Sequence, residues 1–254
     1  MASEGNRKRP PVTRVLVVDD HRAFSQALGI AIDLQPDLEY VGSASTVEEA
    51  IAAVPDSAPD VVLMDLRLPD RDGIEGLSLI KEMRPEVRVL ILTAFADADA
   101  MARAAAEGAC GFFPKERPVG EILQAIRTAG EGGMLVEPST LAAVLARVRE
   151  PAREHRKPQG PSLTDRQRDV LALMAEGMDP KSIAKRLGIS VNTSRGHVKG
   201  ILAKLGAHSQ LEAVVAALRE GLLDIGPSSN RDGQGSDPAD PLPSAARGRH
   251  RGQT

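Results

Sequence analysis

Apolar residues recur along the first half of the chain in two alternating rhythms. Short, almost unbroken runs stand at VLVVDD (15–20), LEYVGSA (38–44), DVVLMD (60–65), VRVLILTA (87–94) and ACGFFP (109–114). Runs of this length, bounded by polar and turn residues, predict buried strands. Between them apolar positions fall at helical spacing. Phe24, Ala27, Leu28, Ala31, Ile32 and Leu34 form one stripe, and Val119, Ile122, Leu123 and Ile126 form the last. Thr46 followed by Glu49 is a capping box that opens another helix. Five strands alternating with five helices predict an α/β fold, a five-stranded doubly wound parallel sheet. Ligands of such sheets bind at the carboxyl ends of the strands. The residues that close each strand are therefore where chemistry should be sought.

From Gly130 to Pro161 the pattern weakens to one short helix, Leu141 to Val148, and a Pro/Arg-rich stretch. Four compact helices are predicted next, an all-α unit. Thr164 with Gln167 caps the first, Asp179–Pro180 starts the second, Ser190 caps the third, and Ser209 with Glu212 caps the fourth. Gly188 supplies the tight turn of a helix-turn-helix. After Leu223 the sequence is rich in Gly, Pro and Ser and nearly free of apolar residues, so disorder is expected. The predicted organisation is an α/β domain at 12–132, a linker at 133–160, a helical domain at 161–223 and a tail at 224–254.

Composition narrows the function classes. With four Phe, one Tyr and no Trp, the core must be aliphatic, and an aromatic stacking platform for single strands is excluded. A lone cysteine, Cys110, forms no internal disulfide, and no Cys/His cluster has zinc spacing. No apolar run reaches the ~18 residues that span a bilayer, and no apolar segment follows the charged start. A cytoplasmic chain without a membrane partner is expected. Charge is uneven: residues 12–130 hold 11 Lys+Arg against 20 Asp+Glu, a balance of −9, whereas 161–223 hold 9 against 6, or +3. Such asymmetry predicts two modules with different partners.

The strand ends carry the chemistry. Asp19 and Asp20 follow the first strand, Asp65 ends the third, Thr93 the fourth, and Lys115 follows the fifth. An aspartate after a strand is most often a helix cap, and a lone lysine is most often a solvated charge. Their convergence at one sheet edge is different, because clustered carboxylates repel unless a cation sits among them. Oxygen ligands with open positions suit Mg²⁺, and a nearby lysine and hydroxyl suit a phosphoryl group. His21 beside the acidic pair is expected to support the site and not to act as a base.

These residues stand in VLVVDDHRAFSQAL, VVLMDLRLPDRDGIEGL, ILTA and GACGFFPK, which resemble the receiver domain of two-component response regulators, a flavodoxin-like fold, over residues 12–132. The resemblance implies that Asp65 is the phosphoacceptor and that Asp19, Asp20, Asp65 and the backbone carbonyl of Arg67 hold Mg²⁺. It implies a switch hydroxyl at Thr93, a phosphoryl contact at Lys115 and a rotating aromatic at Phe112. Pro69 and Gly73 match the turn after the acceptor. A sensor histidine kinase is the implied phosphodonor.

The run LTDRQRDVLALMAEGMDPKSIAKRLGISVNTSRGHVKGILAKLG, with SQLEAVVAALREGLL after it, resembles the LuxR-type domain of NarL/FixJ regulators. Ile183, Ala184, Leu187, Ile189, Val198, Ile201, Leu202 and Leu205 form its apolar seam. Asn192, Thr193, Arg195, His197, Lys199 and Lys204 are the residues expected to meet double-stranded DNA, by edge-reading or phosphate contact in the major groove. Gly196 and Gly200 inside that helix, Ser194 in the seam and Gln167 in the first helix depart from the family pattern. Together the two resemblances imply a transcription factor controlled by aspartyl phosphorylation that pairs as a homodimer when phosphorylated. A rival reading, a phosphohydrolase with an aspartate nucleophile, requires a second acid two residues after the nucleophile; Arg67 stands there, so no enzyme is expected. Another alternative is a DNA-binding regulator whose receiver answers a ligand or protein partner.

Overall fold

The computed structural model describes residues 12–94, 97–149 and 162–223. The tail expected to be disordered at 224–254 and the linker residues 150–160 lie outside the described residues. Five strands form in order: β1 (Thr13–Val18), β2 (Leu38–Ala44), β3 (Val61–Asp65), β4 (Arg88–Thr93) and β5 (Gly111–Pro114). They pair in parallel in the order β2-β1-β3-β4-β5. Five helices alternate with them: α1 (Arg22–Asp33), α2 (Val47–Ser57), α3 (Gly73–Met83), α4 (Ala98–Ala106) and α5 (Val119–Gly130).

The core is aliphatic, as the scarcity of aromatics requires. Val15, Val17, Leu63 and Leu90 of the sheet close over Leu28, Ile32, Ile122 and Ile126 of α1 and α5. The capping signals act at most helix starts. Thr46 Oγ1 accepts from Glu49 N at 3.0 Å, while the Glu49 carboxylate reaches back one residue further than expected, to Ser45 N at 2.7 Å. α3 and α4 are capped by Asp72 and Asp97. The short helix expected between the domains is α6 (Pro138–Arg149); it buries Leu141, Val144, Leu145 and Val148 and packs on α4. Leu135, just before α6, adds to the free edge of β5, where Phe112 N donates to Leu135 O at 2.7 Å and Leu135 N to Cys110 O at 3.1 Å. Such a one-residue bridge leaves no periodicity to read.

The helical unit holds α7 (Asp165–Ala175), α8 (Pro180–Leu187), α9 (Val191–Leu205) and α10 (Gln210–Arg219). Thr164 and Gln167 form a complete capping box on α7, Asp179 caps α8 with Pro180 in its first turn, and Ser190 and Ser209 cap α9 and α10. Gly188 ends α8 in the left-handed region at φ 63°, which lets the chain turn into α9. No single helix among the described residues is long and apolar enough to cross a membrane.

The start of α10 meets the α/β domain. Ser209 Oγ donates to the carbonyl of Ala109 at 2.8 Å while accepting from Glu212 N, so one hydroxyl both caps the helix and anchors it. Gln210 Nε2 donates to Gly132 O at 2.7 Å, and the Arg88 guanidinium donates to His208 O. α10 also packs on α4 and α6.

Candidate functional site

Parallel strands place their carboxyl ends along one edge, and Asp19, Asp65, Thr93 and Lys115 follow from that rule. Asp19 and Asp65 are buried, and their charges are compensated by side chains. Lys115 Nζ lies 2.6 Å from Asp65 Oδ2 and 2.7 Å from Asp19 Oδ2. Burial alone would lower the Lys115 pKa; its contacts with Asp19 and Asp65 outweigh that and raise it. The Lys115 ammonium also sits 5.8 Å from the centre of the Phe24 ring. His21 Nδ1 lies 2.8 Å from Asp20 Oδ1 and 3.2 Å from Asp19 Oδ1, so one ring nitrogen faces both carboxylates. The imidazole therefore stands between the two acids and belongs to the same cluster.

Ligand atoms of Asp19, Asp20, His21 and Asp65 all lie within 4.8 Å of one another. A hard divalent cation suits this set, since the carboxylate oxygens converge on an open cleft. The fit has a second sign. Asp19 Oδ2 is buried and lacks a hydrogen bond of good geometry, although Lys115 is within ion-pair distance. The two facts agree if the ammonium approaches off the lone-pair direction, leaving that oxygen coordinating capacity. Arg67, Thr93 and Glu116 line the same cleft of about 410 Å³. Phe112 lies on β5 and is buried.

The loop after Asp65 is drawn tight. Gly73 N donates to Leu66 O at 2.9 Å, and Arg67 pairs with Asp72 as an antiparallel bridge. A Cβ on Gly73 would lie 2.0 Å from the Asp65 carbonyl oxygen, so only glycine lets α3 start this close to the strand end. At the loop tip, Asp70 accepts from Val47 N at 3.0 Å and Glu48 N at 3.1 Å. The sequence reading missed this contact. No local spacing marks a cap supplied from more than twenty residues away.

On α9, Asn192, Thr193, Arg195 and Lys199 are exposed and His197 is half-buried. Arg195 Nη2 pairs with Glu131 Oε2 at 3.2 Å. Lys204 faces its own domain, donating to Ser162 O and Gln167 Oε1 at 2.8 Å each. The glutamine that departs from the family pattern thus gives Lys204 an acceptor. Ser194 is fully buried, and its hydroxyl has no hydrogen-bond partner.

A doubly wound sheet with an acidic cleft at its strand ends, joined to a helix-turn-helix, defines a two-module regulator. The model of the response regulator receiver domain matches residues 15–127, and that of the bacterial regulatory proteins, luxR family, matches 161–217. The DNA-binding transcriptional activator DevR/DosR of Mycobacterium tuberculosis is 36% identical over 206 residues, covering 81% of this chain and 94% of that protein. The transcriptional regulatory protein LiaR of Bacillus subtilis is 35% identical, over 83% of this chain and 99% of its own. A solved two-component response regulator of the LuxR family from Aurantimonas sp. SI85-9A1 is 28% identical with a TM-score of 0.50, covering 55% of this chain and 99% of that one. The chain belongs to the response regulators that join a receiver domain to a LuxR-type helix-turn-helix domain.

Proposed function

We propose that the chain is a transcription regulator of a two-component system, in which phosphorylation of Asp65 by a sensor histidine kinase controls binding of double-stranded DNA through α9. The observation that carries this reading is the placement of Lys115 Nζ at 2.6 Å from Asp65 Oδ2 and 2.7 Å from the buried Asp19, in a cleft that Asp20 also lines. An Asp65 carboxylate oxygen attacks the phosphorus. The bond to the donor's histidine nitrogen breaks, and its electron pair returns to the imidazole. Lys115 and the Thr93 hydroxyl contact the phosphoryl oxygens. Asp19, Asp20, Asp65 and the Arg67 carbonyl would hold Mg²⁺, whose positive charge offsets that of the transferring group. No acid stands two residues beyond Asp65 to catalyse release, which favours a stable signal over phosphatase chemistry.

Thr93 drawn toward the phosphoryl group makes room for Phe112 to turn, and β5 then changes its fit to Leu135 and Ala109. Leu135 belongs to the linker and Ala109 accepts from Ser209 at the start of α10, so β5 joins the cleft to the DNA-binding unit. Asn192, Thr193, Arg195, His197 and Lys199 meet the groove, while Lys204 braces its domain. Domain limits follow the sequence reading, with the receiver at 12–132 and the DNA-binding unit at 161–223. The phosphorylated chain pairs as a homodimer, and it acts in the cytoplasm, where DNA and the kinase domain are accessible.

The test is phosphoryl uptake from acetyl phosphate with Mg²⁺. Asp65→Asn keeps the shape and removes the nucleophile, so uptake should be lost while the native circular-dichroism spectrum is kept. Hydroxylamine-labile labelling of Asp65→Asn equal to that of the parent would remove Asp65 from the role. Failure of the parent to label would favour a receiver that answers a ligand or partner.

A further inference from the structure

The loop from Leu66 to Asp72 has little apolar surface to hold it. Arg67, Pro69, Asp70, Arg71 and Asp72 are exposed, and only Leu66 is buried. A segment with few buried contacts is the part of a fold that opens most easily. Its base is pinned by the Gly73–Leu66 bond and the Arg67–Asp72 bridge. Its tip is tied to α2 through Asp70, and Arg71 Nη1 donates to Glu75 Oε1 of α3 at 2.7 Å in a pair about half exposed to solvent.

What Asp70 grips is a fixed body. α2 buries Val47, Ala50 and Val54, and Val47 packs so closely on α3 that a Cβ on Gly76 would approach it to 3.0 Å. The first turn of α2 leaves backbone donors that need acceptors. Thr46 takes the amide of Glu49 and the Glu49 carboxylate takes that of Ser45. Two more of them, the amides of Val47 and Glu48, are both taken by Asp70, one on each oxygen. The carboxylate also sits at the positive end of the helix dipole. The bidentate grip fixes the loop tip in position and orientation, three residues beyond the carbonyl of Arg67.

We infer that Asp70 is a positioning residue for the phosphorylation site: by clasping the first turn of α2 it holds the Arg67 carbonyl where a cation bound by Asp19, Asp20 and Asp65 can use it. This rests on the function proposed above. It predicts an effect on metal affinity that an ordinary helix cap would not have.

The test compares Asp70→Ala, Asp70→Asn and Thr46→Ala in the full-length chain. Thr46→Ala removes a cap from the same helix turn without touching the loop. Mg²⁺ affinity is measured by calorimetry without phosphodonor, the thermal midpoint by circular dichroism, and amide exchange at Val47 and Glu48 by NMR. Asp70→Ala should bind Mg²⁺ about tenfold more weakly, the lower end of what loss of a residue supporting a metal ligand costs. Asp70→Asn keeps one acceptor oxygen and should fall between, which preserves the test if the alanine variant folds poorly. Thr46→Ala should lose thermal stability and keep the parent's Mg²⁺ affinity. Equal affinity in parent and Asp70 variants, or an equal loss in Thr46→Ala, overturns the inference and leaves Asp70 a helix cap. Absence of Mg²⁺ binding by the parent would instead strike the function reading itself.

Discussion

Three residues make α9 softer than its length suggests. Ser194 is fully buried with an unpartnered hydroxyl, a burden of about 1–3 kcal/mol. Gly196 and Gly200 each cost roughly 1 kcal/mol relative to alanine inside a helix. The surroundings of the two glycines differ. A Cβ on Gly196 meets nothing within 4 Å, whereas one on Gly200 would lie 2.9 Å from Gln167 Nε2, the amide whose oxygen serves Lys204. Gly196→Ala should therefore stabilise the domain by about 1 kcal/mol, and Ser194→Ala by a similar amount. Gly200→Ala should gain less, because Gln167 must move. Urea unfolding midpoints of the three variants check this; a larger gain at position 200 than at 196 would contradict the steric ranking. All three departures were visible in the sequence, but only the packing tells the useful glycine from the tolerated one.

Among elements, local signals were legible and distant ones were not. Strand ends, helix caps and apolar stripes depend on neighbours in sequence, so Asp65, Thr93 and Lys115 could be placed at one edge without coordinates. The Asp70 clasp, the Leu135 bridge and the inward turn of Lys204 join residues tens of positions apart, and no periodicity records them. The tie between α5 and the turn before β2 is of the same kind. Arg127 Nε donates to Asp37 Oδ2 at 2.6 Å and Nη2 to Oδ1 at 2.9 Å, a bidentate pair. The Arg127 hydrogen bond, opposed by slight desolvation and helped by its charge, holds the Asp37 pKa below the usual 3.8. A carboxylate more acidic in the folded state contributes stability above its unfolded pKa and loses it as pH falls through the folded one. Asp37→Asn should thus lower stability near pH 6, by no more than about 1 kcal/mol for so accessible a pair. The gap to the parent should close below pH 3.8. Thermal melts from pH 6 to pH 2 measure it, and a gap that persisted at the acid end would exclude the charged pair as its cause.

At the scale of the molecule, the contrast between a receiver at −9 and a helical domain at +3 suggests that one screens the other. The contact is narrower than that sum implies. Asn192, Thr193 and Lys199 remain exposed on α9, and it is the start of α10 that is anchored through Ser209 and Gln210. Among the described residues, Arg195 is the one member of the set proposed to meet DNA that pairs with a receiver-side acid, Glu131, about half exposed to solvent. An exposed pair contributes at most about 1 kcal/mol, so freeing Arg195 should raise the affinity of the unphosphorylated chain for duplex DNA by no more than about fivefold. A freed guanidinium also adds one phosphate contact, which should steepen the slope of log affinity against log salt by about 0.9. Glu131→Gln makes that change, and Glu137→Gln is its control, because Glu137 pairs with Arg117 on the receiver and alters net charge equally. Fluorescence anisotropy with a labelled duplex at four salt concentrations reads both quantities. If both variants gain alike, general charge is responsible; if only Glu131→Gln gains and its slope steepens, Glu131 is the restraint on Arg195. No gain in either would mean that restraint before phosphorylation lies in the anchorage of α10, where Arg88, Ala109 and Gly132 hold the domain.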